Sequence, residues 1–452
     1  MIKDTPQNLS AVPQGSGTRT RFDLWCLVFG GWLGLTVVKF GNPIILFELL
    51  PKPNDLSEFI LLAWPITWAF LIFLGIAAFA IRHLELSLNS LQKAQWYLWL
   101  PASWLLWQGL ATTTSVDHRL SLPTLGHFLI CVMSFYLGRC LLSQQQRPLI
   151  WMGGFLFGYL WMLNSGLQQH FGGLEDSREA FFSLPDWKTY PVEYIKKVSS
   201  NRIFGTLFYP NALAGVVLSF GPLLAFGLFQ LTYPKGNVVM GVTVGLFIYA
   251  SLAALYWTES KTGFLLGMGL FGLWTLTLRF DKRMKVALVV LGVIVGSSVF
   301  AYKYADYFKK GATSVSARFD YWEAAWKTSM THPLKGTGPG TFKHAYSTLK
   351  RPDSEMARLA HNDYLEQASD SGFPGMFLYL GIFPFFLWRN RPKKTSCSLA
   401  VAVWFGLFGW AAQGLAEFGL YIPAMAYPAF SLLGWLDGQN TSIGRANEST
   451  KV

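Results

Sequence analysis

Between Arg318 and Gly375 an otherwise apolar chain packs His, Arg, Asp, Trp and Gly into two polar segments, RFDYWEAAWKTSMTHPLKGTGPGTF and AHNDYLEQASDSGFPG. His361, which opens the His-Asn-Asp run, is the residue there best suited to chemistry. An imidazole can take a proton from a hydroxyl near neutral pH, as a general base must, and Asp363 or Glu366 could orient it from the start of a helix that His361 begins. A lone exposed histidine is more often polar surface than a base, so residue type alone does not assign it to catalysis. Two cations stand at the ends of apolar stretches, Arg202 in SSNRIFGTLFYPNALAG and Lys261 in WTESKTGFLLG. Each on its own could snorkel to lipid phosphate. Converging, they would bind an anion such as a diphosphate, Arg202 through a bidentate fork and Lys261 as a point charge. The turn Gly336–Gly340 (GTGPG) exposes backbone amides that could meet a phosphate, although a plain turn is the simpler account.

The elements that must position these residues are set by hydropathy. The chain is 52% hydrophobic and 14% charged, against roughly 25% charged residues in soluble domains, which excludes an ordinary soluble fold. Apolar stretches near the roughly 20 residues needed to cross hydrocarbon recur at Leu24–Val38, Phe59–Ile81, Ala94–Val116, Leu120–Gly138, Pro148–Gln169, Ile203–Pro234, Gly236–Thr258, Thr262–Leu278, Val286–Tyr302, Ser371–Trp388, Ser398–Ala416 and Tyr421–Leu436. The expectation is an all-α integral membrane protein of about twelve spans. One polytopic domain covers residues 24–436, between a flexible tail at 1–23 and a solvated tail at 437–452.

Orientation follows from the basic residues of short connections, which stay cytoplasmic during insertion. Clusters such as Lys282, Arg283 and Lys285, or Arg389, Arg391, Lys393 and Lys394, contrast with Lys39, Lys52, Arg119 and Lys261 in the short opposite loops. Both termini are therefore expected inside. Both long polar loops, about 170–201 and 303–370, are expected outside with Arg202, Lys261 and His361. The net charge of +12 is read as an insertion signal rather than a nucleic-acid footprint. Cys26, Cys131, Cys140 and Cys397 avoid the outward loops, so neither a disulfide framework nor a thiolate metal site is expected there. Within the second loop, Phe319, Trp322, Trp326 and Met330 recur at helical spacing, the pattern of an amphipathic helix lying at an interface.

RIFGTLFYPNALAG, WTESKTGFLLG, RFDYWEAAWKTSMTHPLKGTGPGTF and AHNDYLEQASDSGFPG, in this order, resemble the O-antigen ligase and polymerase superfamily over about residues 200–436. The resemblance implies a glycosyltransferase C type membrane enzyme. Such an enzyme moves a glycan from a polyprenyl (undecaprenyl) diphosphate to an acceptor hydroxyl at the outer side of the bacterial cytoplasmic membrane. The acceptor would be lipid A core for a ligase, as in lipopolysaccharide assembly, or a growing glycan for a polymerase. The same resemblance assigns the donor diphosphate to Arg202, proton abstraction to His361, and diphosphate or sugar contact to Arg318, Asn362 and Asp363. Lys261 stands where members often carry arginine. No cofactor and no metal are expected, because two cations could stabilise the leaving diphosphate. The rival of another class is a transporter of the same lipid-linked glycan. Transporters tend to place ionisable groups on broken helices at the bilayer midplane, whereas here these groups gather in outer loops.

Overall fold

The computed structural model describes residues 16–449 apart from 51, 85–94, 190–194, 196–197, 279, 310–312, 353 and 393–397. Among the described residues there are helices and no strands. In chain order they are α1 (Ser16–Lys39), α2 (Leu56–Leu61), α3 (Ile66–Leu84), α4 (Leu100–Thr112), α5 (His118–Cys140), α6 (Leu149–Gln168), α7 (Leu174–Phe182) and α8 (Pro210–Thr232). There follow α9 (Asn237–Trp257), α10 (Lys261–Thr277), α11 (Lys282–Lys309), α12 (Thr313–Thr331), α13 (Phe342–Leu349), α14 (Asp363–Arg389), α15 (Ser398–Gln413) and α16 (Pro423–Ser449).

Among the described residues, six segments are long and apolar enough to cross a membrane: Arg19–Lys39, His118–Gln144, Pro210–Lys235, Asn237–Trp257, Lys282–Lys309 and Asp363–Arg389. Ile66–Ile81 and Ser398–Gln413 are shorter apolar helices. The protein is thus an all-α membrane protein. Several expected spans are trimmed by proline, which favours the first helical turn and disfavours helix in the residue before it. Phe59–Ile81 is divided before Ile66, near Pro65. Ile203–Pro234 becomes helical only at Pro210.

Close helix pairs form the core. A Cβ on Gly34 would lie 2.1 Å from the Gly154 carbonyl oxygen, and one on Gly434 would lie 1.9 Å from that of Phe135. Glycines spaced four apart let α1 meet α6, and α16 meet α5, backbone to backbone, a packing mode suited to helices in lipid. At the expected cytoplasmic end, Arg139 Nε donates to Asp437 Oδ2 at 2.9 Å and Asn390 Nδ2 to Oδ1 at 3.2 Å. Asp437 is fully buried. α16 runs on past residue 437 to Ser449, with Asp437 held inside the protein by this ion pair. Residues 1–15 and 450–452, and Cys397, lie outside the described residues.

Beyond the spans, α12, α13 and the chain before α14 build a second small core from Tyr321, Ala324, Ala325, Phe342, Tyr346, Ala357 and Ala360. The amphipathic reading of α12 is reproduced. Its inner face carries Tyr321, Ala325 and Thr328, while Phe319, Trp326 and Met330 are exposed and Trp322 is half-buried.

Candidate active site

Arg202 begins a non-helical segment whose backbone is tied down from three sides. Gln169 Oε1 accepts from the Phe204 and Gly205 amides at 2.9 and 2.8 Å, and its Nε2 donates to the Gly205 carbonyl at 2.8 Å. Thr206 donates to the carbonyl of Val37 at the end of α1, and the Ile203 amide to that of Trp257 at the end of α9. Gly205 adopts φ +61°, which glycine accommodates without penalty. The Arg202 guanidinium is then fixed by Nε donating to the Thr258 carbonyl and Nη2 to Asn211 Oδ1, both at 2.7 Å. Burial pulls it below its ordinary range, with Glu417 and Glu259 opposing.

Glu259 follows with φ +51°, and Ser260 caps α10 by accepting from the Gly263 amide at 3.1 Å. Lys261 thus heads α10, with Nζ 3.7 Å from the centroid of Tyr307 and 5.0 Å from that of Tyr304. A desolvated ammonium over an aromatic face is favourable. Burial, then the Arg202 guanidinium, lowers the Lys261 ammonium to about 8, with Arg318 and Lys303 adding and Glu259 opposing. Arg202, Lys261 and Arg318 therefore share one electrostatic neighbourhood, as convergence on an anion requires.

Glu417, between α15 and α16, joins this group to His361. Its Oε1 accepts from Arg318 Nη2 and, at 2.6 Å, from Asn211 Nδ2, while its Oε2 lies 3.3 Å from His361 Nδ1. Burial raises this carboxyl, but Arg318, His361 and Arg202 prevail and hold it below the usual carboxylate range. Asn211, bonded to both Arg202 and Glu417, links the two halves of the site.

His361 stands before α14 rather than in its first turn, because Asn362 is the N-cap: Asn362 Oδ1 accepts from the Tyr364 and Leu365 amides at 3.0 Å. His361 has φ +53°. Its ring packs edge-on to Phe418 at 4.6 Å and parallel to Tyr321 at 5.8 Å, with its side chain 26% exposed. Among the described residues His361 and Glu259 are the two non-glycine residues at positive φ, and both border this site, where strained backbone tends to collect. Neither expected acid orients His361. The Asp363 carboxylate accepts from the Leu420 amide at 3.1 and 3.2 Å, and Glu366 Oε2 accepts from the Ala360 amide. Asn362 and Asp363 are both buried and engaged within the protein. Asn362 Nδ2 donates to the Leu415 carbonyl at 2.9 Å and the Asp363 amide to that of Gly414 at 2.8 Å. The two residues lace the start of α14 to the segment that carries Glu417.

The glycine turn is structural. Thr337 and Gly338 donate their amides to the carbonyls of Ser369 and Asp370 at 3.0 and 2.8 Å, and the Gly340 amide donates to Asp370 Oδ2 at 2.6 Å. Gly372, at φ +72°, breaks α14 beside it. Away from the cluster, an apolar cavity of about 1150 Å³ lies among α8, α9, α10 and α15, lined by residues such as Val217, Phe247, Leu252, Phe271 and Phe405. The N-terminal ends of α8 and α10 adjoin Arg202 and carry Lys261, respectively.

The structure thus gathers an imidazole–carboxylate pair and three cations into one cluster. Residues 245–380 match the model of the O-antigen ligase family. The matched region contains Lys261, Arg318 and His361, and ends before Glu417. No curated protein matches the chain. Sequence reading missed Glu417 and Asn211. The one signal was an acid directly following an apolar stretch, in LAEFGLY, where an ionisable residue is a functional candidate.

Proposed function

We propose that this protein transfers an oligo- or polysaccharide from an undecaprenyl-diphosphate carrier to an acceptor hydroxyl at the outer face of the cytoplasmic membrane, as a metal-independent O-antigen ligase-like glycosyltransferase. The observation that carries the reading is the single carboxylate of Glu417, which faces His361, pairs with Arg318 and reaches Arg202 through Asn211. With Glu417 accepting from Nδ1–H, the His361 imidazole presents Nε2 as the base. Nε2 takes the proton of the acceptor hydroxyl, and the acceptor oxygen forms a bond to the anomeric carbon. The bond from that carbon to the phosphate oxygen breaks, and polyprenyl diphosphate leaves with the electron pair. Arg202, Lys261 and Arg318 meet the developing charge, a contribution commonly of several kcal/mol. The apolar cavity among α8, α9, α10 and α15 supports a carrier with a long prenyl tail.

The test is transfer by purified protein from a synthetic polyprenyl-diphosphate donor. Wild type should form product in the presence of EDTA, and His361→Ala should form none while remaining inserted and stable. Near-normal product from His361→Ala would remove the base. Deleting the gene and resolving the cell's glycans separates the acceptors. Full-length chains not attached to lipid A core indicate ligation, and short carrier-linked repeats indicate polymerisation. Donor retained on the inner face would indicate transport and overturn the proposal.

A further inference from the structure

A second cleft, of about 780 Å³, opens between the 169–178 segment, the end of α9 and the end of α11. That volume lies in the range of small-molecule sites, roughly 300–1,000 Å³. Its wall carries a flat aromatic platform: the His170 and Trp257 rings are stacked at 3.8 Å with 14° between their planes, and Phe171 meets Trp257 edge-on at 5.8 Å. Around it stand planar polar side chains, Asn201, Glu259 and Asp306 among them, with Arg178 donating to Asn201 Oδ1 at 2.7 Å. Acidic and basic groups are interleaved, with Glu175, Glu259 and Asp306 beside Arg178 and Lys303. Such a lining suits a neutral polyhydroxylated ligand better than an anion. Sugar rings have that character: an apolar C–H face for an aromatic platform and hydroxyls at the edge for carboxylates, amides and guanidinium groups.

The cleft adjoins the cationic group through residues next to it in the chain. Asn201 precedes Arg202, and Glu259 follows Thr258, whose carbonyl fixes Arg202. Glu259 also acts electrostatically on both Arg202 and Lys261. We propose that this cleft is an oligosaccharide subsite, with the His170–Trp257 stack as the platform for a sugar ring and Asn201 and Glu259 binding its hydroxyls. The role rests on the transferase reading above, since the glycan it holds belongs to either the donor or the acceptor.

Two measurements on the full-length purified protein test it. The first needs no turnover: saturation-transfer NMR with the repeat-unit oligosaccharide released by mild acid from the producing cell's carrier lipid. Sugar signals are expected with wild type, weakened with His170→Ala and restored with His170→Tyr, which returns a flat ring at an exposed position. The second compares donors carrying one or five sugars and acceptors carrying one or several. His170→Ala and Asn201→Ala should leave the one-sugar pair unchanged and raise KM roughly five- to tenfold, the size of a lost aromatic contact, for the longer partner alone. A penalty that follows donor length assigns the subsite to the donor glycan, and one that follows acceptor length assigns it to the acceptor. Absence of sugar signals in wild type, or variants with the same KM as wild type for every partner, would overturn the proposal. Sugar signals without any transfer would keep the subsite and refute the transferase reading instead.

Discussion

At Glu417 one carboxylate faces His361 through Oε2 and takes Arg318 and Asn211 on Oε1, so removing its charge should disturb base and cations together. Glu417→Gln keeps the shape and is expected to lower kcat at least about 100-fold, the lower bound of general-base contributions. Rates equal to wild type would show that the pairing has no part in turnover. Lys261 gives a pH dependence. With its ammonium lowered to about 8, the charge is largely present at pH 7 and is lost as pH rises through 8. The kcat/KM for the donor should therefore fall on an alkaline limb near pH 8 in wild type, and that limb should move upward in Lys261→Arg, whose guanidinium does not titrate there. A limb that stays in place excludes Lys261 as its source. Arg202 contrasts with Lys261, because its Nε and Nη2 already hold Thr258 and Asn211. Arg202→Lys should cost at least tenfold in rate by loosening this scaffold as well as by losing the fork. His361, Arg318, Arg202 and Lys261 were legible in the sequence because each lies in a motif or at the edge of an apolar stretch. Glu417 and Asn211 were not, since their importance comes from contacts some 56 and 206 residues away in sequence.

Among the elements, α14 does the most to place the site, and it does so through its interruption at Gly372. A Cβ there would lie 2.2 Å from the Leu334 carbonyl oxygen, and the backbone sits at φ +72°, ψ 178°. Gly372→Ala should therefore cost more than the roughly 1–3 kcal/mol of such backbone strain, because the turn 333–340 must also move. The purified variant is expected to melt earlier and to lose activity. A melting temperature equal to wild type would mean that the turn is not latched as described. The sequence showed helical runs well, because apolar content over some twenty residues dominates locally. It showed their breaks poorly. Residues 203–209 are as apolar as a span, yet leave the helix because Gln169, Thr206 and Gly205 provide other partners for the backbone. The Asn362 cap displaced His361 from the first turn in the same way, through a side-chain contact rather than hydropathy.

For the molecule as a whole, the site depends on which side of the membrane it faces. Reporters fused after Lys235 and Lys282 are expected to behave as cytoplasmic, and those at Asp186 and Asp353 as external. A cytoplasmic signal at Asp353 would leave the donor glycan and His361 in different compartments. The division of α14 also bears on the lipid around the protein. Its outer part, Asp363 to Ser371, is polar and largely buried within the protein, so the apolar part that faces hydrocarbon runs only from Phe373 to Arg389 and rises about 25 Å at 1.5 Å per residue. The hydrocarbon core of a bilayer is about 30 Å thick. Beside this helix the leaflet must thin, or the helix must sit low, to remove the mismatch. With His361 on the outer side, as proposed, either adjustment would bring the outer headgroup plane inward toward it, so that a phosphate anchored at that plane would meet the proposed base without being lifted out of the lipid.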